Sequence, residues 1–448
     1  MLLQSPRLQG IACEKHHSSQ LILVSVICGP AGPRGILGES RSRRHNPQVI
    51  VLKSTQFMTA FSMWAAVGSC TNSSGQDQAP NAADLSLREV HEAVFGVPLV
   101  DLSLESKRQY IVDREHGQYL GHPTTQMLPD GTIIAVYPKG HGEGPIVLKR
   151  STDGGRTWSN RLPVPESWAS SREVPTLFQT EREDGSVRLL LFSGLYPIRS
   201  AVSDDLGETW SGLQPIGDFG GIVAMASIHK QADGDLLAFF HDDGRFLRNS
   251  GEPSAFRVFA TRSSDYGLSW SEPWVITEHP DADLCEPGLV TSPDGTRLAL
   301  LLRENSRTYE SFIVFSDDDG ETWSEPKELP KALTGDRHTA KYSPDGRLVI
   351  SYRDMADASP TRGDWVVWVG SWDDLTNTDP GLYRIRLMDN TDSWDAAYPG
   401  LELASDSTFI STTYGHWTIG EEPYVVTVRF NMSELDARSS GDYSQNIP

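Results

Sequence analysis

Short apolar runs rich in Val, Ile, Leu, Phe and Tyr recur along most of this chain, separated by polar turns that carry Gly, Asp, Asn or Pro. Residues 132–138, 146–149, 189–192, 222–228, 236–240, 298–303, 312–315, 348–352, 365–370, 408–414 and 424–430 each have the length of a strand and fall short of an ordinary helix. Residues 86–93 are the one short stretch that reads as a helix, 99–104 read as a strand, and 111–112 read as a strand that could close the structure against its last unit. Many short strands bounded by turn residues predict an all-β protein.

Four of the turns share one pattern, Ser-x-Asp-x-Gly-x-Thr/Ser-Trp. They are Ser151–Trp158, Ser203–Trp210, Ser263–Trp270 and Ser316–Trp323, and their tryptophans lie 52, 60 and 53 residues apart. A repeat of that length is one supersecondary unit, unable to bury its apolar face without neighbours. Within it the Asp carboxylate can accept backbone N–H groups and the Gly can take positive φ, as a hairpin turn requires. The Trp offers one large apolar anchor per unit. Ser371-Trp372-Asp373-Asp374 reads as a worn fifth copy.

Composition narrows the function. The 448 residues carry a formal net charge of −21, which argues against nucleic-acid binding, and no run reaches the roughly 20 apolar residues of a membrane-spanning helix. The four cysteines (13, 28, 70 and 285) have neither the spacing of a disulfide framework nor that of a metal site, and no cofactor motif is present. Residues 1–51 do not share the pattern and read as a spurious or unstructured extension. Residues 52–70 read as an export signal: Lys53, a short apolar run, then Val67-Gly68-Ser69-Cys70, a lipobox in which Cys70 would be acylated. The polar stretch 71–84 would be a tether, 85–435 the folded domain, and 436–448 a disordered tail. The expectation is an exported protein, periplasmic or on the cell surface, whose membrane contact is a lipid at Cys70.

The repeated turn is the Asp box, and the chain resembles the sialidase (neuraminidase) superfamily of six-bladed β-propellers. That resemblance implies six four-stranded antiparallel blades, with the boxes on the outer side, away from the active site. Blades would begin near residues 119, 173, 222, 286, 338 and 398. Innermost strands face the axis, so polar residues at their ends converge: His122, His141, Glu173, Asp242, Glu286, Arg303, His338, Arg353, Tyr398 and Tyr414 are the candidates.

Sialidases hold a substrate carboxylate with three arginines and use a Tyr nucleophile assisted by a Glu, with an Asp as acid/base. The segment from Glu286 to Arg303 resembles the one that carries the assisting Glu and the second arginine. Tyr398-Pro399-Gly400 resembles the start of the nucleophile segment, and Arg362 matches the third arginine, with Arg353 as the alternative. Three positions depart from the pattern. Gly121-His122-Pro123 puts His122 where the first arginine belongs, and Tyr414 replaces the Glu that buttresses it. The loop Lys139–Pro145 has no Asp; Lys139 falls at the Asp position, and His141 or Glu143 is left as proton donor, His suiting neutral pH better.

The resemblance implies an exo-acting glycoside hydrolase that cleaves a terminal acidic sugar from a glycan, with Tyr398 as nucleophile, Glu286 as its base and His141 as proton donor. Arg303 and Arg362 would hold the carboxylate. A polysaccharide lyase working through His and Tyr on uronic-acid glycans and a non-catalytic glycan-binding propeller are the alternatives.

Overall fold

The computed structural model describes residues 85–440. Six antiparallel sheets follow one another along the chain and make a six-bladed β-propeller. Blade two (Thr176–Glu181, Val187–Ser193, Arg199–Ser203, Gln214–Pro215) shows the pattern, each strand pairing with the next. Blades three (residues 222–278) and four (284–328) repeat it. Innermost strands contact their neighbours all the way round, from Thr124–Met127 of blade one to Gly400–Leu403 of blade six and back. The approach is closest at the join: a Cβ on Gly400 would lie 2.0 Å from Thr125 Oγ1.

Three blades vary the scheme. Blade one has three ladder strands, and its outer edge is completed by Ser159 and Leu162, whose amides donate to Arg150 and Leu148. Blade five gains a parallel fifth strand, Leu99–Asp101, on its outer strand Tyr383–Met388. Blade six takes its outermost strand from the start of the domain: Gln109–Asp113 pairs antiparallel with Tyr424–Asn431. The closure expected of residues 111–112 is therefore present, and it removes the sheet edges that an open ring would expose.

The Asp boxes are joints between blades. In the second copy Asp205 accepts the Thr209 amide at 2.9 Å and the Thr209 hydroxyl at 2.5 Å, while Ser203 Oγ accepts the Gly207 amide at 2.8 Å. Gly207 has φ +81°, and a Cβ there would meet Ile134 of blade one at 2.8 Å. The other three boxes repeat these bonds. Trp270 packs on Phe192 of blade two and Trp323 on Phe239 of blade three, ring centroids 5.7 and 5.5 Å apart. The boxes thus tie each blade to the one before it. Trp270→Ala should cost roughly 3–5 kcal/mol, as for other large core aromatics. Denaturant unfolding would measure that loss, with activity per folded molecule unchanged.

Two local expectations need correction. Ser371–Asp374 is no worn box but a helix start: Ser371 caps Trp372–Asn377 and Asp374 bonds back to the Ser371 amide at 2.7 Å. A helix, Met432–Ser439, carries the fold past the boundary expected at 435. At the other end Leu87–Phe95 is the helix expected near 86–93, opened by a Ser86/Glu89 capping box. The extension, signal, Cys70 lipobox, tether and residues 441–448 lie outside the described residues.

Candidate active site

A rule of strand geometry builds the site. Alternate side chains of a strand point to opposite sides. The second strands of blades three, four and five end in His241-Asp242, Arg303-Glu304 and Arg353-Asp354. The first of each pair turns toward the axis and the second pins the following loop. Asp242 accepts amides of Gly244, Phe246 and Leu247, and Glu304 those of Ser306 and Thr308. Asp354 is fully buried, accepting the hydroxyls of Ser359 and Thr361 and pairing with Arg384. Asp242 is therefore a loop anchor and does not line the cleft, contrary to its expected role.

The innermost strands supply the rest. Those of blades three, four and five each carry a bulge near their start. A non-glycine residue sits there with positive φ: Val223 (48°), Glu286 (50°) and Arg337 (57°), with His122 (53°) just ahead of blade one. Left-handed backbone costs a non-glycine residue roughly 1–2 kcal/mol, so a recurring outlier at one ring position marks a place where side-chain direction matters.

These elements enclose an axial cleft of about 360 Å³ whose lining includes His122, His141, Glu173, His241, Glu286, Arg303 and Tyr398. On its floor the buried Tyr398 hydroxyl donates to Glu286 Oε1. Arg303 Nη1 lies 2.7 Å from the same carboxylate oxygen and 3.2 Å from the phenol oxygen. Burial opposes ionisation of Glu286, but Arg303, the Tyr398 hydrogen bond and His241 together hold the carboxyl below its ordinary value. Burial and the Glu286 charge push the Tyr398 phenol well up. The resting pair is thus a neutral phenol against a carboxylate ready to take its proton.

Beneath lies a fully buried carboxylate, Asp336, which holds three arginines. Arg307 meets it through both terminal nitrogens at 2.6 and 2.9 Å, Arg353 through Nε at 2.8 Å, and Arg303 through Nε at 3.2 Å. Arg353 also donates to the carbonyls of Trp394 and Ala396, and its guanidinium lies 5.6 Å from the Tyr398 ring centre. Arg362 is not brought to the cleft. The turn pinned by Asp354 carries it outward, where it pairs with Asp357 at 2.6 Å. Between the two candidates for the third arginine, Arg353 is the one beside Tyr398.

The opposite wall is a cluster of rings around one carboxylate. His122 Nε2 and the Tyr414 hydroxyl are 3.0 Å apart, filling the places expected for the missing arginine and its partner. The Tyr414 hydroxyl lies 3.0 Å from Asp395, and the Tyr119 hydroxyl bonds to the same carboxylate. His141 Nδ1 is 3.7 Å from Asp395, with 69% of its side chain exposed at the cleft mouth. Burial drives the His122 pKa down to about 3, so this ring is neutral, whereas the nearby Asp395 carboxylate raises that of His141. Burial pushes Glu173 up to about 7. His338 packs on Tyr352 and bonds the Leu333 carbonyl; it lines the channel beyond Arg337 and not the cleft.

The BNR repeat-like domain model matches residues 104–281 and 196–410. The chain belongs to the BNR repeat-like domain family. This places the propeller in the sialidase-like superfamily that its Asp boxes and site segments resemble. A sialidase from Clostridium perfringens is 24% identical over 260 residues, 53% of this chain and 56% of the relative. The chain spans about half the length of the curated relatives it matches. Among solved structures, a Dyadobacter fermentans protein of unknown function superposes with TM-score 0.58 at 15% identity, covering 72% of this chain and 97% of its own. An α-L-arabinanase from Penicillium chrysogenum does so with TM-score 0.52 at 16% identity, covering 73% and 98%.

Four residues of this BNR-repeat propeller were not singled out from the sequence: Asp336, Arg337, Asp395 and Arg307. Arg337 had a usable signal, since Asp336-Arg337-His338 opens blade five as Cys285-Glu286-Pro287 opens blade four. Asp395 stands three residues before Tyr398 in an unpatterned loop, and nothing local announces it.

Proposed function

We propose that this protein is a glycoside hydrolase acting on a terminal, acidic sugar. The Tyr398–Glu286–Arg303 contact on the axis carries the reading. Tyr398 Oη attacks the anomeric carbon and its proton passes to Glu286 Oε1, while Arg303 steadies the charge shared between them. His141 protonates the leaving oxygen. Water then cleaves the glycosyl–tyrosine bond, with His141 taking its proton and Glu286 returning one to Tyr398. Arg172 and Arg303 both line the cleft, which supports an anionic sugar.

The direct experiment is incubation with sialylated and uronic-acid glycans. New reducing ends with no near-ultraviolet absorbance support hydrolysis. The ring cluster around Asp395 also suits a lyase, in which a His or Tyr removes the proton beside a uronate carboxylate; an unsaturated, absorbing product would establish that instead. Glycan binding with neither product would leave a lectin and overturn both.

The donor role of His141 has its own signature. A general acid works only while protonated, so activity falls as pH rises through its pKa, which Asp395 raises. Asp395→Asn should therefore move the alkaline limb of the kcat–pH profile to lower pH. A limb that stays in place would assign proton donation elsewhere.

A further inference from the structure

The axis holds a second cavity, of about 250 Å³, on the side of the innermost strands away from the Tyr398 cleft. Arg337 reaches it from the blade-five bulge. Its side chain is 8% exposed, and among the described residues the guanidinium makes one hydrogen bond, Nη1 to the Ala226 carbonyl at 3.0 Å, and no ion pair. Three neighbouring arginines are each engaged by a carboxylate: Arg303 by Glu286 and Asp336, Arg307 and Arg353 by Asp336. Those three guanidiniums thus share two carboxylates, and Arg337 pairs with neither. Burial lowers the Arg337 pKa against the charges of Glu286 and Glu173, which act on it but form no ion pair with it, and a buried cation with no directly bonded counter-charge is expensive.

The far wall does not supply the missing charge. Glu402 lines the same cavity, but burial raises its pKa, Lys341 stands 3.8 Å from it, and the Thr125 hydroxyl bonds it at 2.9 Å. That group is close to neutral as a pair.

We propose that the cavity binds a small monovalent inorganic anion, of halide size, on the free N–H groups of Arg337. The forked N–H donors of a guanidinium suit such an anion. This site is separate from the sugar cleft and does not depend on the hydrolase reading.

Crystals soaked in sodium bromide should show an anomalous peak in the channel at hydrogen-bond distance from Arg337. In solution, sodium bromide titrated at ionic strength held by a bulky sulfonate should raise the unfolding midpoint of the native protein, as any ligand of the folded state does. Arg337→Gln should weaken that response at least tenfold in bromide concentration, and Arg337→Lys should retain part of it. The bromide soak needs no variant, so it decides the matter even if Arg337→Gln fails to fold. No channel peak, a peak only in the upper cleft at Arg303, or equal midpoint responses in native and Arg337→Gln protein would overturn the proposal.

Discussion

Tyr398→Phe should bind a glycan ligand as tightly as the native protein yet lose turnover by roughly ten-thousandfold or more, the scale seen when a covalent nucleophile is removed. The substitution deletes one oxygen and leaves the ring against His122, 4.8 Å away between centroids, and under Arg353. Glu286 keeps Arg303 as partner, so the carboxylate is not orphaned. Stopped assays with calorimetric binding would separate the two effects. Normal turnover by the Phe variant, with His141→Ala inactive, would remove Tyr398 from the chemistry and shift it to the histidines.

Asp336→Ala should destabilise the fold by about 3–5 kcal/mol, because one fully buried carboxylate answers three guanidiniums and its removal leaves buried charge uncompensated. Urea unfolding would measure the loss. A change below about 1 kcal/mol, the range of exposed ion pairs, would mean that the three arginines find other partners. Asp336→Asn should fall between the two, retaining shape and hydrogen bonding without the charge.

The contrast between these residues explains what was legible beforehand. The Asp boxes announce themselves because each is closed by its own neighbours, Ser203 to Asp205 to Thr209, so sequence spacing and spatial contact coincide. Tyr398 and Glu286 were readable from segments that resemble a known site. The pairing of His122 with Tyr414 could be anticipated because a cation and its partner had changed together. Asp336 and Asp395 act on side chains that arrive from other blades, and a carboxylate in a loop looks the same whether it meets solvent or three arginines. Arg362 and Arg353 lie on either side of one turn, and which reaches the axis depends on Asp354 folding that turn back through Ser359 and Thr361. Strand alternation would have sorted Asp242 from His241, had the strand end been known to the residue.

The strand Gln109–Asp113 is made early but finds its partner, Tyr424–Asn431, only when the last blade exists. At ribosomal rates of roughly 5–20 residues per second, it waits about 15–60 s for its ladder. Through that interval the nascent chain carries an unpaired strand and an unclosed row of blades, the surface from which misassembly with a second chain begins. Its neighbours Lys107 and Arg108 keep the waiting edge charged. A ring shut by its own two ends is therefore stable once complete and at its most vulnerable just before.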